Sequence, residues 1–220
     1  MKQLYSFLRE LKLNNNRDWF NANKERYLHA KSEAERLTQD LINAVATVDP
    51  EAARLTPADC TYRIYRDTRF SPDKTPYKTH IGIFINPPGG KKALTGGYYF
   101  HLEPDNSLIA AGNICHPAPI LKALRQAVFD EIDEYRSIVE DPEFLLHFSE
   151  IGENPLKTAP KGFPKDWPFL EYIKPRDFTV AGAIPDSTLC RRDAAEALLP
   201  AIRQAARFNR FINFTIEDFI

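Results

Sequence analysis

Four runs rich in β-branched and aromatic residues follow one another with no helical periodicity between them: CTYRIYR (60–66), HIGIFIN (80–86), YYFHLEP (98–104) and SLIAAGN (107–113). Consecutive strands without crossover helices pair through turns, so this stretch predicts an antiparallel meander and disfavours a parallel sheet. Pro104, Asp105 and Asn106 have turn chemistry, which makes a hairpin of the last two runs. Ile81, Ile83 and Ile85 alternate with Gly82 and Phe84, giving one apolar face for helices to cover. A looser connection is expected at 87–92, and 176–184 reads as a further short strand.

Spacing supplies the helices. Leu4, Phe7, Leu8 and Leu11 recur at helical intervals over the first dozen residues, and Asn14, Asn15 and Asn16 end that helix. One of these asparagines, or Asp18, then caps a long helix from about 17 to 48. That helix is marked by Phe20, Tyr27, Ala30, Ala34, Leu37, Leu41, Val45 and Val48, and Asp49-Pro50 stops it. Trp19 is expected to staple its start to the core. Ile120, Leu121, Leu124, Val128 and Ile132 predict another helix. A further helix follows at 133–147, interrupted at Asp141-Pro142, and Ala194, Leu198, Ala201, Ala205, Phe208 and Ile212 mark a last long one. Residues 152–169 are rich in proline, yet Phe163 and Trp167 should anchor them to the body of the protein. The expected whole is a single α+β domain over 1–220, an antiparallel sheet of four or five strands with several helices on one face.

The chemistry gathers at one place. Arg63, Arg66, Arg69, Lys74 and Lys78 face only Asp67 and Asp73, a local charge of +3 in a chain whose net charge is −1. Arginine donates planar, paired hydrogen bonds, and Tyr62, Tyr65, Phe70 and Tyr77 would limit its motion, so the cluster suits a small phosphorylated or carboxylated ligand. Ser71-Pro72-Asp73-Lys74 and Thr75-Pro76 stiffen the loop that carries it. The same arginines have a structural use, pairing with Glu25, Glu33 or Asp67. They also suit a noncatalytic protein-interaction surface, where Arg and Tyr are enriched. Ligand-binding candidates are Arg63, Arg66, Arg69, Lys74, Tyr77, Lys78, His80 and His116; for acid–base chemistry they are Asp67 and His101. His101 shares a strand face with Glu103.

Other classes lack their signals. The chain has no G-x-S-x-G, P-loop or G-x-G-x-x-G motif and calls for no cofactor. No H-x-x-x-H or H-E-x-x-H spacing marks a metal site. A pI near 6.5 disfavours a broad basic face for nucleic acid. Cys60, Cys115 and Cys190 are widely spaced, which fits a reducing cytoplasm, and no apolar run is long enough to cross a bilayer.

The segments NNNRDWFNANKERY (14–27), YRIYRDTRFSPDKTPYKTH (62–80), YYFHLEPDNSLIAAG (98–112), CHPAP (115–119), ALRQA (123–127) and APKGFP (159–164) together resemble the uncharacterised bacterial proteins of domain-of-unknown-function family 2461. The resemblance spans nearly the whole chain and implies a single-domain module of this size. It places Arg63, Arg66, Asp67, Arg69, Lys74, Tyr77, Lys78 and His80 at motif positions. Trp167 departs from it, standing where a histidine is expected.

Overall fold

Period-two alternation sets the sheet that the rest of the chain covers. In the computed structural model, which describes residues 1–87 and 90–219, β1 (Ile81–Ile85), β2 (Gly97–Leu102), β3 (Leu108–Asn113), β4 (Glu150–Glu153) and β5 (Asp177–Ala183) form one antiparallel sheet. Its order is β1-β2-β3-β5-β4. Directly opposed residues share a face. The register therefore aligns Ile83, Phe100, Ile109 and Gly182 on one side, and Gly82, His101, Leu108 and Ala183 on the other. The first side is core, and the isoleucines of β1, Tyr98, Phe100, Leu102 and Val180 are all buried there. Part of the expected connection at 87–92, Pro88 and Gly89, lies outside the described residues.

Three helices dominate the covering layer: α1 (Lys2–Leu13), α3 (Lys24–Ala46) and α10 (Leu199–Ile216). α3 buries a stripe of Ala30, Ala34, Leu37, Leu41 and Val45, and packs against α1 and β1. Helix α10 lies on β2 and β3, where Asn209 hydrogen-bonds the sheet backbone and Asn213 that of Gly96, just before β2. Asn209 accepts from Gly112 N–H at 2.9 Å and donates to the Gly97 carbonyl at 3.1 Å. One continuous hydrophobic core results.

Two helical expectations need correction. The helix expected over 17–48 is two helices, α2 (Arg17–Ala22) and α3, because the backbone leaves helical geometry at Asn23 (φ −109°, ψ 23°). The Asn23 amide bonds the Trp19 carbonyl at 2.9 Å, the local competition with helix that asparagine offers. The last helix is likewise split, into α9 (Ala194–Ala197) and α10, just ahead of Pro200. The interruption expected at Asp141-Pro142 is present, with α6 (Ile132–Val139) before it and α7 (Pro142–Leu145) after, and Asp141 caps α7.

Residues 60–66 are not a strand of the sheet. Helix α4 (Pro57–Cys60) ends there, and the extended chain makes one bridge to β1, Thr61 with Ile83, before leaving to pair Tyr65 with Tyr77. Pro72 and Pro76 deny the returning chain the N–H groups that a continuous ladder needs. The meander thus has three strands, and the sheet reaches five by adding β5, anticipated at 176–184, and the short edge strand β4, which the sequence did not announce. Phe163 and Trp167 do anchor the proline-rich segment. Their rings sit 5.5 and 4.7 Å from that of Phe129 on α5 (Ala118–Asp130).

Candidate functional site

The side of the sheet away from the core carries a cleft of about 500 Å³. Its floor is low because the outward positions there hold small residues, Gly82, Ala110, Gly112 and Ala181. Tyr62, Lys78 and His80 wall the β1 side, and Glu150 and Glu153 the β4 side. Strict alternation would turn Glu150 and Glu153 to opposite faces. A bulge at Gly152, whose φ of +73° suits glycine, brings both to the open face opposite Ala181 and Asp177.

The loop of 63–78 is built around its own ion pairs. Arg69 grips Asp67 with two parallel hydrogen bonds of 2.9 and 2.6 Å, and both side chains are well exposed. Arg66 bonds Asp73 and Thr75, and Lys74 donates to the Thr68 carbonyl at 2.9 Å. The loop amide and Arg66 together hold the Asp73 carboxyl down to about 2. Tyr77 is buried and stacks on Phe20 at 3.9 Å, while the Asn15 side chain bonds both its backbone N–H and C=O. The Asn-rich turn therefore fixes the far end of the cationic loop. Arg63 is exposed and makes no side-chain hydrogen bond among the described residues.

Lys78 and His80 are the candidates that reach the cleft. The Lys78 ammonium lies 5.4 Å from the centre of the Tyr62 ring and has no carboxylate partner among the described residues. Burial, and secondarily Arg63, lower its pKa. His80 stacks on His101 with ring centres 4.1 Å apart. His101 bonds Tyr99 on one nitrogen and Glu103 on the other. His116 lies apart from the cleft lining. It is 9% exposed, and neither ring nitrogen has a partner among the described residues. Burial lowers its pKa against the pull of Asp177.

Sequence reasoning passed over Tyr99 and the small floor residues. Tyr99, His101 and Glu103 do stand two apart along one strand, a polar stripe on the uncovered face that YYFHLE displays. The floor had no such signal, since it depends on the pairing of β3 with the distant β5.

The stacked imidazoles make stability depend on pH. Burial, with the charges of His101 and Lys78 behind it, pushes His80 down from 6.5 to about 4. Between those values the folded state binds fewer protons than the unfolded chain, so stability present above pH 6.5 is lost as pH falls towards 4. The ring is only partly buried, and after discounting for solvent the loss is about 1–2 kcal/mol. His80→Gln should remove it, seen as a smaller drop in urea midpoint between pH 7 and 4.5; an unchanged drop contradicts this.

Compared with known proteins, the chain matches one family model, described as conserved hypothetical protein (DUF2461), over residues 3–211. No curated protein and no solved structure matches it.

Proposed function

The chain belongs to the DUF2461 family, and from the geometry of its cleft we propose that it binds a small carboxylated or phosphorylated molecule on the open face of the sheet. One observation carries this reading: Lys78 is a cation without a carboxylate partner among the described residues, at the edge of a mainly apolar cleft. The other cations of the loop, Arg66, Arg69 and Lys74, already have acceptors, and Arg63 adds long-range attraction from outside. Glycine and alanine on the floor admit a flat apolar body, which Tyr62, Phe84 and Tyr99 contact at the side. His80 and His101 provide acid–base capacity beside the ligand, whereas Asp67 is engaged with Arg69.

The cytoplasm is the compartment we infer, because Cys60, Cys115 and Cys190 are all free thiols and two are exposed. No helix among the described residues is long and apolar enough to cross a membrane. A second reading, docking of a protein partner on the Arg/Tyr surface, is favoured by Phe70, 92% exposed beside Arg69 at the tip of the loop.

Amide NMR separates the two. Titration with a panel of organic acids, phosphates and nucleotides should move the signals of Gly82, Ala110, Gly112 and Ala181 and leave those of 68–74 in place. If no compound moves the floor signals, the cleft reading fails.

A further inference from the structure

Along β2 and its C-terminal extension the polar atoms of Tyr99, His101 and Glu103 form a connected line. Tyr99 Oη is 3.0 Å from His101 Nδ1, and His101 Nε2 is 3.2 Å from Glu103 Oε2. The carboxylate fixes the direction of this chain. Burial opposes ionisation of Glu103, but hydrogen bonds from Asn106 and His101 outweigh it and hold its carboxyl below the ordinary range. An ionised Glu103 only accepts, so in the neutral imidazole His101 donates from Nε2, its Nδ1 carries the lone pair, and Tyr99 donates its O–H to that nitrogen. This is a hydroxyl–imidazole–carboxylate relay whose hydroxyl end is the one that lines the cleft.

The surrounding groups narrow the chemistry. His80 lies against the His101 ring, and no hydrogen bond within the described residues engages its nitrogens, so its ring is free to address a ligand. The hydroxyl of Thr179, the one aliphatic hydroxyl among the described lining residues, is engaged with Glu153 at 3.2 Å, and no thiol lines the cleft there. The site thus offers proton donors and acceptors in place of an alcohol or thiol nucleophile.

Building on the anion-binding reading above, we propose that the cleft catalyses proton transfer at a carbon beside the carbonyl of a small carboxylated or phosphorylated ketone or aldehyde. The substrate C–H bond breaks as a new O–H bond forms on Tyr99. Tyr99's own proton passes to His101 Nδ1, and Glu103 holds the resulting imidazolium. The electron pair stays on the substrate as an enolate, whose oxygen accepts a hydrogen bond from neutral His80 while Lys78 holds the anionic end. Return of one proton from Tyr99 to carbon, and of the other from His101 Nδ1 to Tyr99, closes the cycle with no change in oxidation state. Tyr99 and His80 are catalytic residues here, and Glu103 is a positioning residue.

Deuterium uptake from D2O tests this, with pyruvate, 2-oxobutyrate and dihydroxyacetone phosphate as probes. Proton NMR follows exchange at carbon, and ligand line broadening follows binding. The proposal expects at least one bound probe to exchange well above its protein-free rate. Tyr99→Phe should slow that exchange about 100-fold while binding changes by less than about threefold. The groups facing His101 are His80, Tyr99 and Glu103, with Lys78 beyond His80 and Lys12 beside Glu103. Glu103→Gln removes the charge that holds the imidazolium, so exchange should slow about tenfold while probe binding changes by less than about threefold. If none of the probes that bind exchanges faster than without protein, or if Tyr99→Phe exchanges as fast as the parent, the proton-transfer proposal is overturned and the binding reading stays intact. If no probe binds, the binding reading fails for these compounds and the proposal falls with it.

Discussion

Gly112→Ala is expected to cost about 4 kcal/mol or more, a large part of the stability of an ordinary domain. A Cβ at this position would lie 2.1 Å from the Phe178 carbonyl oxygen and 3.0 Å from Thr179 Cα, both backbone atoms of the neighbouring strand β5. A flexible side chain swings aside; a paired strand does not, so β3 and β5 must separate. The φ of +98° adds strain of about 1–3 kcal/mol for any residue with a Cβ. Gly82→Ala is the control, because its Cβ would meet the side-chain atoms Tyr99 Oη and Tyr62 Cδ2 at 3.0 and 3.2 Å. It should fold. Urea unfolding of both variants decides the matter, and a loss under about 1 kcal/mol for Gly112→Ala would contradict the β3–β5 register.

Asn209→Ala should cost about 3 kcal/mol. Its side chain is 4% exposed and bonds two backbone groups of the paired strands β2 and β3, Gly112 N–H and the Gly97 carbonyl. Truncation removes both bonds from the core, at about 1–3 kcal/mol each, partly relieved wherever water enters the space left. Exposed Asn43, whose side chain among the described residues bonds only Gln39, makes the comparison, and its replacement should cost less than about 0.5 kcal/mol. Equal midpoints for the two variants would contradict the role assigned to α10.

These residues also mark where the sequence was legible. The hairpin from 98 to 113 follows from alternation and a Pro-Asp-Asn turn, and Asp105 adopts the positive φ of 63° that such turns accommodate. The period of 3.6 gives α3 and α10 their buried stripes but does not locate the breaks at Asn23 and ahead of Pro200, where one side chain or one missing N–H decides. Residues 60–66 carry strand-forming side chains, yet they fail as a strand because their partner segment contains Pro72 and Pro76. β4 is hidden for the opposite reason: Glu-Ile-Gly-Glu has no strand composition and pairs only because β5 is beside it.

The candidate site divides in the same way. The density of charge in 63–78 is plain in the sequence, but its distribution into Arg69–Asp67 and Arg66–Asp73 pairs depends on loop geometry. What remains for a ligand is Lys78, and the reason lies in its surroundings, an aromatic ring and an apolar floor, with the carboxylates of the cleft, Glu150 and Glu153, on the opposite wall. That floor joins strands far apart in the sequence, so no local pattern reveals it.

Thermal melting of the parent, Lys78→Ala and Arg69→Ala, each with and without the compound that moves the cleft signals, tests the anion-binding claim most directly. At about 100 times its dissociation constant a ligand adds roughly 2.7 kcal/mol, several degrees for a chain of this size. The account predicts that all three melt alike without ligand, that the parent and Arg69→Ala gain those degrees, and that Lys78→Ala loses most of the gain. A Lys78→Ala protein stabilised as much as the parent would contradict it.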